Sequence, residues 1–252
     1  MVPVYLFLGA VIFIYGTIFG SFLNVCIYRI PKKESIVSAP SHCMNCGYRL
    51  KWYDLVPLFS FLFLKGRCRQ CKTKLSWQYP VIEALNGALW VLTFVFGGMT
   101  WDSLLSCCVI SALLVLSVID WRTYEIPLGI NIFIVVLGMI KLLVHRDQWL
   151  VYVLGFFCVS AFLWLLYLLT KGRGIGGGDI KLMAAAGLFL GWKLVLVAFF
   201  FGCLYACVTH IARMKFGKAD SVLALGPYLS GGILTAVWFG EQIVHWYVNL
   251  MH

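Results

Sequence analysis

The chain contains the stretch Ser103-Leu-Leu-Ser-Cys-Cys-Val-Ile-Ser-Ala-Leu-Leu-Val-Leu-Ser-Val-Ile119, which Asp120 follows directly. These residues are apolar or small and uncharged, and their number approaches the ~20 residues with which a helix crosses a bilayer. Comparable stretches recur along the 252 residues, of which 62% are hydrophobic and 12% charged. This composition excludes an ordinary soluble domain and predicts an all-α polytopic membrane protein.

The apolar stretches predict about eight transmembrane helices. We interpret the first as a retained span, because it is too long for the apolar region of a signal peptide and no Ala-x-Ala site follows it. The chain then divides into a first span at 1–28, a polar loop at 29–79 and a multi-span domain at 80–252. The predicted spans lie near residues 4–27, 80–97, 103–119, 127–144, 149–170, 180–192, 193–212 and 222–248.

Basic residues are distributed unevenly over the predicted loops. Most of the 20 Lys and Arg residues lie in loop 29–79 and in the loops that follow the third, fifth and seventh spans. Loops rich in Lys and Arg stay in the cytoplasm, so these loops are expected to face it. The same arrangement explains the net charge of +10 without a nucleic-acid partner, and it places Asp120 and Asp179 at cytoplasmic span ends.

Two Cys-x-x-Cys pairs lie in the polar loop, Cys43 with Cys46 and Cys68 with Cys71. Paired knuckles of this kind offer four thiolates to one tetrahedral ion, which predicts a small cytoplasmic loop that binds a structural zinc. Two disulfides are the alternative, and a reducing cytoplasmic face disfavours them. The other cysteines lie in or beside apolar spans, where a free Cys behaves as a small hydrophobic side chain.

The aspartates at the span ends form the candidate catalytic site. Asp179 follows the glycines Gly176, Gly177 and Gly178, which allow unusual backbone angles and the close approach of an extended substrate. An ionisable group at the edge of a bilayer is costly and is therefore a functional candidate. Two such carboxylates can share a proton, so that one acts as a general base while the other polarises a carbonyl. The alternative for Asp120 taken alone is a solvated helix cap.

Further motifs complete a pattern along nearly the whole chain. The pattern consists of Phe19–Pro31, Pro40, the two cysteine pairs with Gly66-Arg-Cys68, Tyr79-Pro-Val-Ile-Glu83, Asp120-x5-Ile-Pro127, Gly176-Gly-Gly178-Asp179 and Leu225-Gly-Pro-Tyr228. In their order and spacing these motifs resemble the bacterial prepilin peptidases (type IV leader peptidases), a GxGD class of intramembrane aspartyl protease. One departure concerns Leu128, which follows Ile126-Pro127 where family members usually carry Asp or Asn; Asn131 comes three residues later.

The resemblance implies Asp120 and Asp179 as the catalytic pair of an enzyme of the bacterial cytoplasmic (inner) membrane. Its substrates would be type IV prepilins and pilin-like proteins of secretion or competence systems, cut after a glycine at the cytoplasmic face. Many members also methylate the new N-terminus with S-adenosylmethionine, and the four-cysteine loop belongs to that bifunctional form. Within this resemblance, Asn24, Arg29 and Glu83 are the candidate residues for methyl transfer.

Two hypotheses from other functional classes are alternatives to the peptidase. A transporter or channel would use the aspartates to pass protons or cations, and it predicts acidic groups near the bilayer midplane together with internal repeats. Here both aspartates are predicted at the cytoplasmic face of the membrane, and the two halves of the sequence show no convincing repeat. A membrane scaffold that docks a partner through its zinc loop would explain the cysteines, although it leaves the glycine run before Asp179 unexplained.

Overall fold

The computed structural model describes residues 2–38, 40–172, 174–215 and 223–251. The predicted start of the last span at Val222, and the basic loop residue Arg173, lie outside the described residues. The helices are α1 (Val2–Arg29), α2 (Phe59–Phe63), α3 (Gln78–Gly97), α4 (Trp101–Thr123), α5 (Leu128–Val144), α6 (Trp149–Leu169), α7 (Gly177–Leu190), α8 (Trp192–Lys215) and α9 (Gly226–Met251).

The described part of the chain confirms the predicted all-helical, multi-pass class. Five of its helices, α1, α3, α4, α6 and α8, are long and apolar enough to cross a membrane, and α5 is a shorter apolar helix. Helices α7 and α9 fall outside that group, since α7 has only 14 residues and α9 carries more polar residues. The count of eight spans and the cytoplasmic side of loop 29–79 therefore stay predictions.

The chain packs as two compact units, Met1–Ser103 and Leu104–His252. In the first unit α1 packs against α3 through small residues. A Cβ atom on Gly16 would lie 2.7 Å from the Cα of Gly87, and one on Gly20 would lie 2.7 Å from the Cα of Glu83. Such close backbone contact is typical of helix pairs in membranes. The predicted three-part division at residues 28 and 79 stays a prediction.

In the second unit α7 is the central helix. It packs against α5, α6, α8 and α9, and every residue from Leu182 to Leu190 is buried. A helix of this length is about 21 Å long, less than the ~30 Å hydrocarbon core. Because protein rather than lipid surrounds α7, it needs neither the length nor the large apolar side chains of a lipid-facing span.

The contact between α6 and α7 leads to a prediction about stability. A Cβ atom on Gly187 would overlap the carbonyl oxygen of Gly155, and one on Gly155 would overlap that of Gly187. We expect Gly187→Ala to lower the free energy of unfolding by about 3 kcal/mol, because the two backbones must separate. Thermal unfolding of the solubilised protein measures this. Gly129→Ala, whose Cβ meets open space, is the control; equal unfolding temperatures for both variants would contradict the argument.

Candidate active site and metal centre

Asp120 lies in the last turn of α4 and points into the second unit. Its side chain is only 4% exposed, and its Oδ2 atom accepts a hydrogen bond of 2.9 Å from the backbone N–H of Gly226. Gly226 is the first residue of α9, where backbone N–H groups have no partner within the helix. The N-terminus of α9 therefore binds the carboxylate, and its dipole favours an anion at this place.

Asp179 lies in the first turn of α7, because this helix begins at Gly177, three residues before the predicted start of the span at residue 180. Gly176 precedes the helix with extended backbone, and its carbonyl accepts the N–H of Asp179 at 3.1 Å. A Cβ on Gly176 would lie 2.9 Å from Asp179 Oδ2, and one on Gly178 would lie 2.8 Å from the Cβ of Ile126. Gly177 has open space around its Cβ position. Gly176 and Gly178 therefore have no room for a larger side chain, because the Asp179 carboxylate and Ile126 lie directly against them.

The fold brings the two carboxyl groups together. Asp179 is 8% exposed, and its carboxylate interacts electrostatically with that of Asp120. The C-terminal end of α4 and the N-terminal ends of α7 and α9 therefore meet at one place in the second unit. A buried pair of interacting carboxyl groups disfavours the doubly ionised state, because like charges repel each other. It can accept a proton from water and donate one to a carbonyl oxygen in the same reaction.

Sequence reasoning missed two polar side chains in the same unit. Asn131 on α5 and Ser230 on α9 are 3% and 7% exposed, and among the described residues the amide nitrogen and oxygen of Asn131 and the hydroxyl of Ser230 have no hydrogen-bond partner. The sequence signal for Asn131 is an amide within the apolar first half of α5. Ser230 gave no comparable signal, because Ser is common in membrane helices.

The four cysteines of the polar loop come together as the spacing predicts. Their sulfur atoms all lie within 4.8 Å of one another. The distance is 3.8 Å between the sulfurs of Cys43 and Cys71, and 4.0 Å between those of Cys46 and Cys68. A tetrahedral zinc–thiolate site with bonds of about 2.3 Å has sulfur–sulfur edges of about 3.8 Å. The residues present therefore fit a structural zinc ion.

Two turns of similar backbone geometry hold the sulfur atoms. Gly47, after the first pair, has φ 71°, and Lys72, after the second pair, has φ 58°, so both are left-handed. Each turn is closed by a bond from the backbone N–H of its first cysteine, Cys43 or Cys68, to a carbonyl five residues later. Hydrogen bonding to the side chain of Thr73 lowers the pKa of the Cys71 thiol to about 5. A lowered thiol pKa favours the thiolate, which is the form that binds metal.

Comparison with known proteins decides the family. Residues 14–96 match the Bacterial Peptidase A24 N-terminal domain, and residues 107–211 match the Type IV leader peptidase family. A protein of Bacillus subtilis (strain 168), named prepilin leader peptidase/N-methyltransferase, is 32% identical over 244 residues, which cover 96% of this chain and 98% of the relative. The chain belongs to the type IV leader peptidase family.

Other members of this leader peptidase family show the same extent of similarity. A relative from Burkholderia pseudomallei (strain 1026b) is 31% identical, with 89% of this chain and 83% of the relative covered. One from Pseudomonas aeruginosa is 27% identical, with 93% and 91% covered. Both are named prepilin leader peptidase/N-methyltransferase. No solved structure matches the chain.

The residues predicted for methyl transfer in this leader peptidase lie in the first unit, where they bond to the backbone around them. Glu83 is 7% exposed and accepts the N–H of Leu58 at 2.8 Å. Asn24 donates to the carbonyl of Tyr79 at 3.2 Å, and Arg29 donates to two carbonyls of the loop that follows α1. These bonds tie the side chains to α3 and to the loop that follows α1, and the role of Asn24, Arg29 and Glu83 in methyl transfer stays a prediction.

Proposed function

We propose that this chain is a membrane-embedded aspartyl endopeptidase that removes the basic leader from type IV prepilins and from pilin-like proteins of secretion or competence systems. Cleavage follows a glycine of the substrate. The observation that supports this function most directly is the buried pair of Asp120 and Asp179 at one place in the second unit. Family membership and the names of the relatives give the substrate class.

The mechanism follows from the chemistry of two carboxyl groups that share one proton. The ionised carboxylate takes a proton from a water molecule, whose oxygen attacks the carbonyl carbon of the scissile peptide bond. The protonated carboxyl group donates its hydrogen to the carbonyl oxygen, which becomes the hydroxyl of a tetrahedral intermediate. The carboxyl group that took the proton from water then donates it to the leaving nitrogen as the C–N bond breaks, and the other carboxylate takes back a proton from a hydroxyl of the intermediate, which restores the one proton of the pair. The products are a leader ending in a carboxylate and a free α-amino terminus.

The contact between Gly226 and Asp120 predicts an effect on the chemical step. A Cβ on Gly226 would lie 2.7 Å from Asp120 Oδ2, so Gly226→Ala must displace this carboxylate. We expect kcat to fall about 100-fold, because a displacement of about 1 Å at a catalytic group has that effect. Gly231→Ala is the control on the same helix, since its Cβ would lie 3.4 Å from Tyr205, an ordinary contact. Steady-state cleavage assays on both variants measure the effect, and equal kcat values would contradict it.

We further propose that the chain methylates the new N-terminal amine with S-adenosylmethionine and that the four-cysteine loop binds a structural zinc ion. The relatives' N-methyltransferase names support the first step. The cluster of four sulfur atoms supports the second. Methyl transfer requires a neutral amine as nucleophile, and cleavage supplies that amine. The two activities therefore act on the same substrate in a fixed order.

The active site faces the cytoplasm in this proposal, and the protein lies in the bacterial inner membrane. The basic residues of loop 29–79 support this orientation. The substrate's apolar helix enters the bilayer beside the enzyme, so the lipid bilayer presents the cleavage site to the aspartates. A cysteine introduced at the exposed Trp121, next to Asp120, tests the orientation. A membrane-impermeant thiol reagent should label it in inverted membrane vesicles and not in intact cells.

The test of function is cleavage of a prepilin-like substrate in membranes that contain the full chain. Mass spectrometry of the N-terminus should show loss of the leader after a glycine, and a methyl increment when S-adenosylmethionine is present. If the product is cleaved but never methylated, the result supports the proposed peptidase and contradicts the proposed methyltransferase activity. A transporter or a scaffold would give no cleaved product, and absence of cleavage would overturn the proposal.

A further inference from the structure

The short helix α2 presents most of its apolar side chains outward. Phe59, Leu62 and Phe63 are 62%, 68% and 85% exposed, and their spacing of three and four residues places them on one face. Phe61, on the opposite face, is buried. A helix surrounded by water would turn the larger set of apolar side chains inward, because burial of apolar surface stabilises a fold. The exposed face of α2 therefore needs an apolar environment outside the chain.

Two contacts attach α2 to the beginning of α3, within the first unit. The backbone N–H of Leu58, just before α2, donates a hydrogen bond of 2.8 Å to the Glu83 carboxylate. The ring of Phe61 packs on that of Trp77, which directly precedes α3, with ring centroids 5.1 Å apart. Leu58 has φ 60°, an unfavourable backbone angle that persists only where the surrounding contacts hold it. Helix α2 is therefore fixed beside the first turns of α3.

These contacts place α2 at the depth of the bilayer boundary. Helix α3 has 20 residues and is about 30 Å long, which equals the thickness of the hydrocarbon core. Glu83 is its sixth residue and lies about 7.5 Å from its start. Since α3 is long and apolar enough to span a membrane, Leu58 and the start of α2 lie close to the level at which hydrocarbon begins.

The charge around α2 is complementary to anionic lipid. Loop 29–79 carries ten Lys and Arg residues and two acidic residues, and one of these two, Asp54, is paired with Arg69. Lys65 and Arg67 follow α2 closely, and both are exposed. An apolar face flanked by basic residues is typical of elements that lie in the membrane interface, where apolar side chains reach the acyl chains and cations bind headgroup phosphates.

We propose that α2 binds the bilayer surface: its three exposed apolar side chains enter the leaflet that loop 29–79 faces, and Lys65 and Arg67 bind the phosphates of anionic phospholipids. This inference depends on α1 and α3 as membrane spans, and it is independent of the proposed peptidase. Helix α2 then attaches the loop to the membrane at a third place, in addition to α1 and α3 at its two ends. The four-cysteine cluster is thereby held near the membrane surface.

Val37 offers a matched control position, because it is 88% exposed in the same loop but lies further from the hydrocarbon. Gly20 of α1 lies against Glu83, and Arg29 ends α1 nine residues later, about 13.5 Å further toward the loop. The Arg29 side chain donates to the carbonyl of Ser35 at 3.0 Å, and the Ser35 hydroxyl accepts the N–H of Val37 at 3.3 Å. Val37 is therefore near the level of Arg29.

The first experiment introduces a diazirine-bearing amino acid in place of Phe63 or of Val37, in the full-length protein in nanodiscs that contain phosphatidylglycerol. After illumination, mass spectrometry should show mainly phospholipid adducts at position 63 and about 10-fold fewer at position 37, where the carbene meets water. Adducts between two copies of this chain at position 63 would identify α2 as an interface between chains. Adducts with water alone would identify a solvated loop. Either of these outcomes would overturn the proposal.

The second experiment compares tryptic cleavage after Lys65 and Arg67 in nanodiscs of phosphatidylglycerol and of neutral phosphatidylcholine. Cleavage should be about 10-fold slower with the anionic lipid, and the difference should disappear at ~1 M salt, where the Debye length is ~3 Å. Phe63→Glu, which charges the exposed face, should abolish the protection and the lipid adducts of a diazirine at position Phe59. Val37→Glu should change neither, and both variants should keep the zinc content of the wild type. Equal cleavage rates in the two lipids, or protection that survives in Phe63→Glu, would contradict the proposal.

Discussion

Asp179→Asn and Asp120→Asn are each expected to reduce cleavage of a prepilin-like substrate by a factor of about 10⁴ or more. An Asn side chain has nearly the same shape as Asp, but it can neither take a proton from water nor pass one to a carbonyl oxygen. Because the two carboxyl groups act as a unit, the double variant should be no slower than either single variant. Initial rates of leader release, followed by mass spectrometry, measure all three enzymes.

The unfolding temperature separates loss of chemistry from loss of fold. Both carboxyl groups are less than 10% exposed, so neutral amides at these positions remove the cost of burying charge. An Asn oxygen at position 120 can still accept the N–H of Gly226. We therefore expect unfolding temperatures equal to or above that of the wild type. Asp102→Asn, at the opposite end of α4, is the matched control and should keep full activity. Cleavage that survives in a folded Asp120 or Asp179 variant would contradict the dyad.

The sequence was sufficient to place both candidate catalytic residues, because each combines an acidic side chain with the end of an apolar stretch. It did not give their environment. The hydrogen bond from Gly226 to Asp120 joins residues that are 106 positions apart, and no local pattern encodes such a contact. The start of α7 was also missed, since a glycine run predicts irregular backbone, whereas Gly177 and Gly178 are helical here. Tertiary packing overrides their low helix propensity.

The limits of hydropathy are visible in α7 and α9. Hydropathy predicts helices that face lipid, and α7 is enclosed by the other helices of its unit. Its Ala184-Ala-Ala-Gly187 run serves close packing rather than contact with acyl chains. In contrast, the four-cysteine cluster followed from spacing alone, because two short knuckles determine their own geometry wherever they lie in a fold. Asn131 shows the opposite case, in which only the neighbouring helices reveal that an amide is unpaired.

Removal of zinc is expected to unfold the four-cysteine loop and to leave the peptidase active. Cys68→Ser, or a strong chelator, should lower the zinc content from about one ion per chain to none. The loop has few buried apolar residues of its own, so metal binding, worth about 10 kcal/mol or more in small zinc domains, stabilises its fold. We expect the loop to become sensitive to protease and methylation to be lost. Leader cleavage should persist, because Asp120 and Asp179 belong to the other unit.

Cys203→Ser provides the control for this experiment, since Cys203 is an exposed cysteine of α8 and no part of the cluster. It should leave zinc content, protease resistance and both activities unchanged. Elemental analysis, limited proteolysis and mass spectrometry of the product measure these properties on one preparation. If the Cys68→Ser loop stays resistant to protease without zinc, its backbone hydrogen bonds suffice and the metal is not structural. If cleavage is lost together with methylation, the expectation that the peptidase is independent of zinc would be wrong.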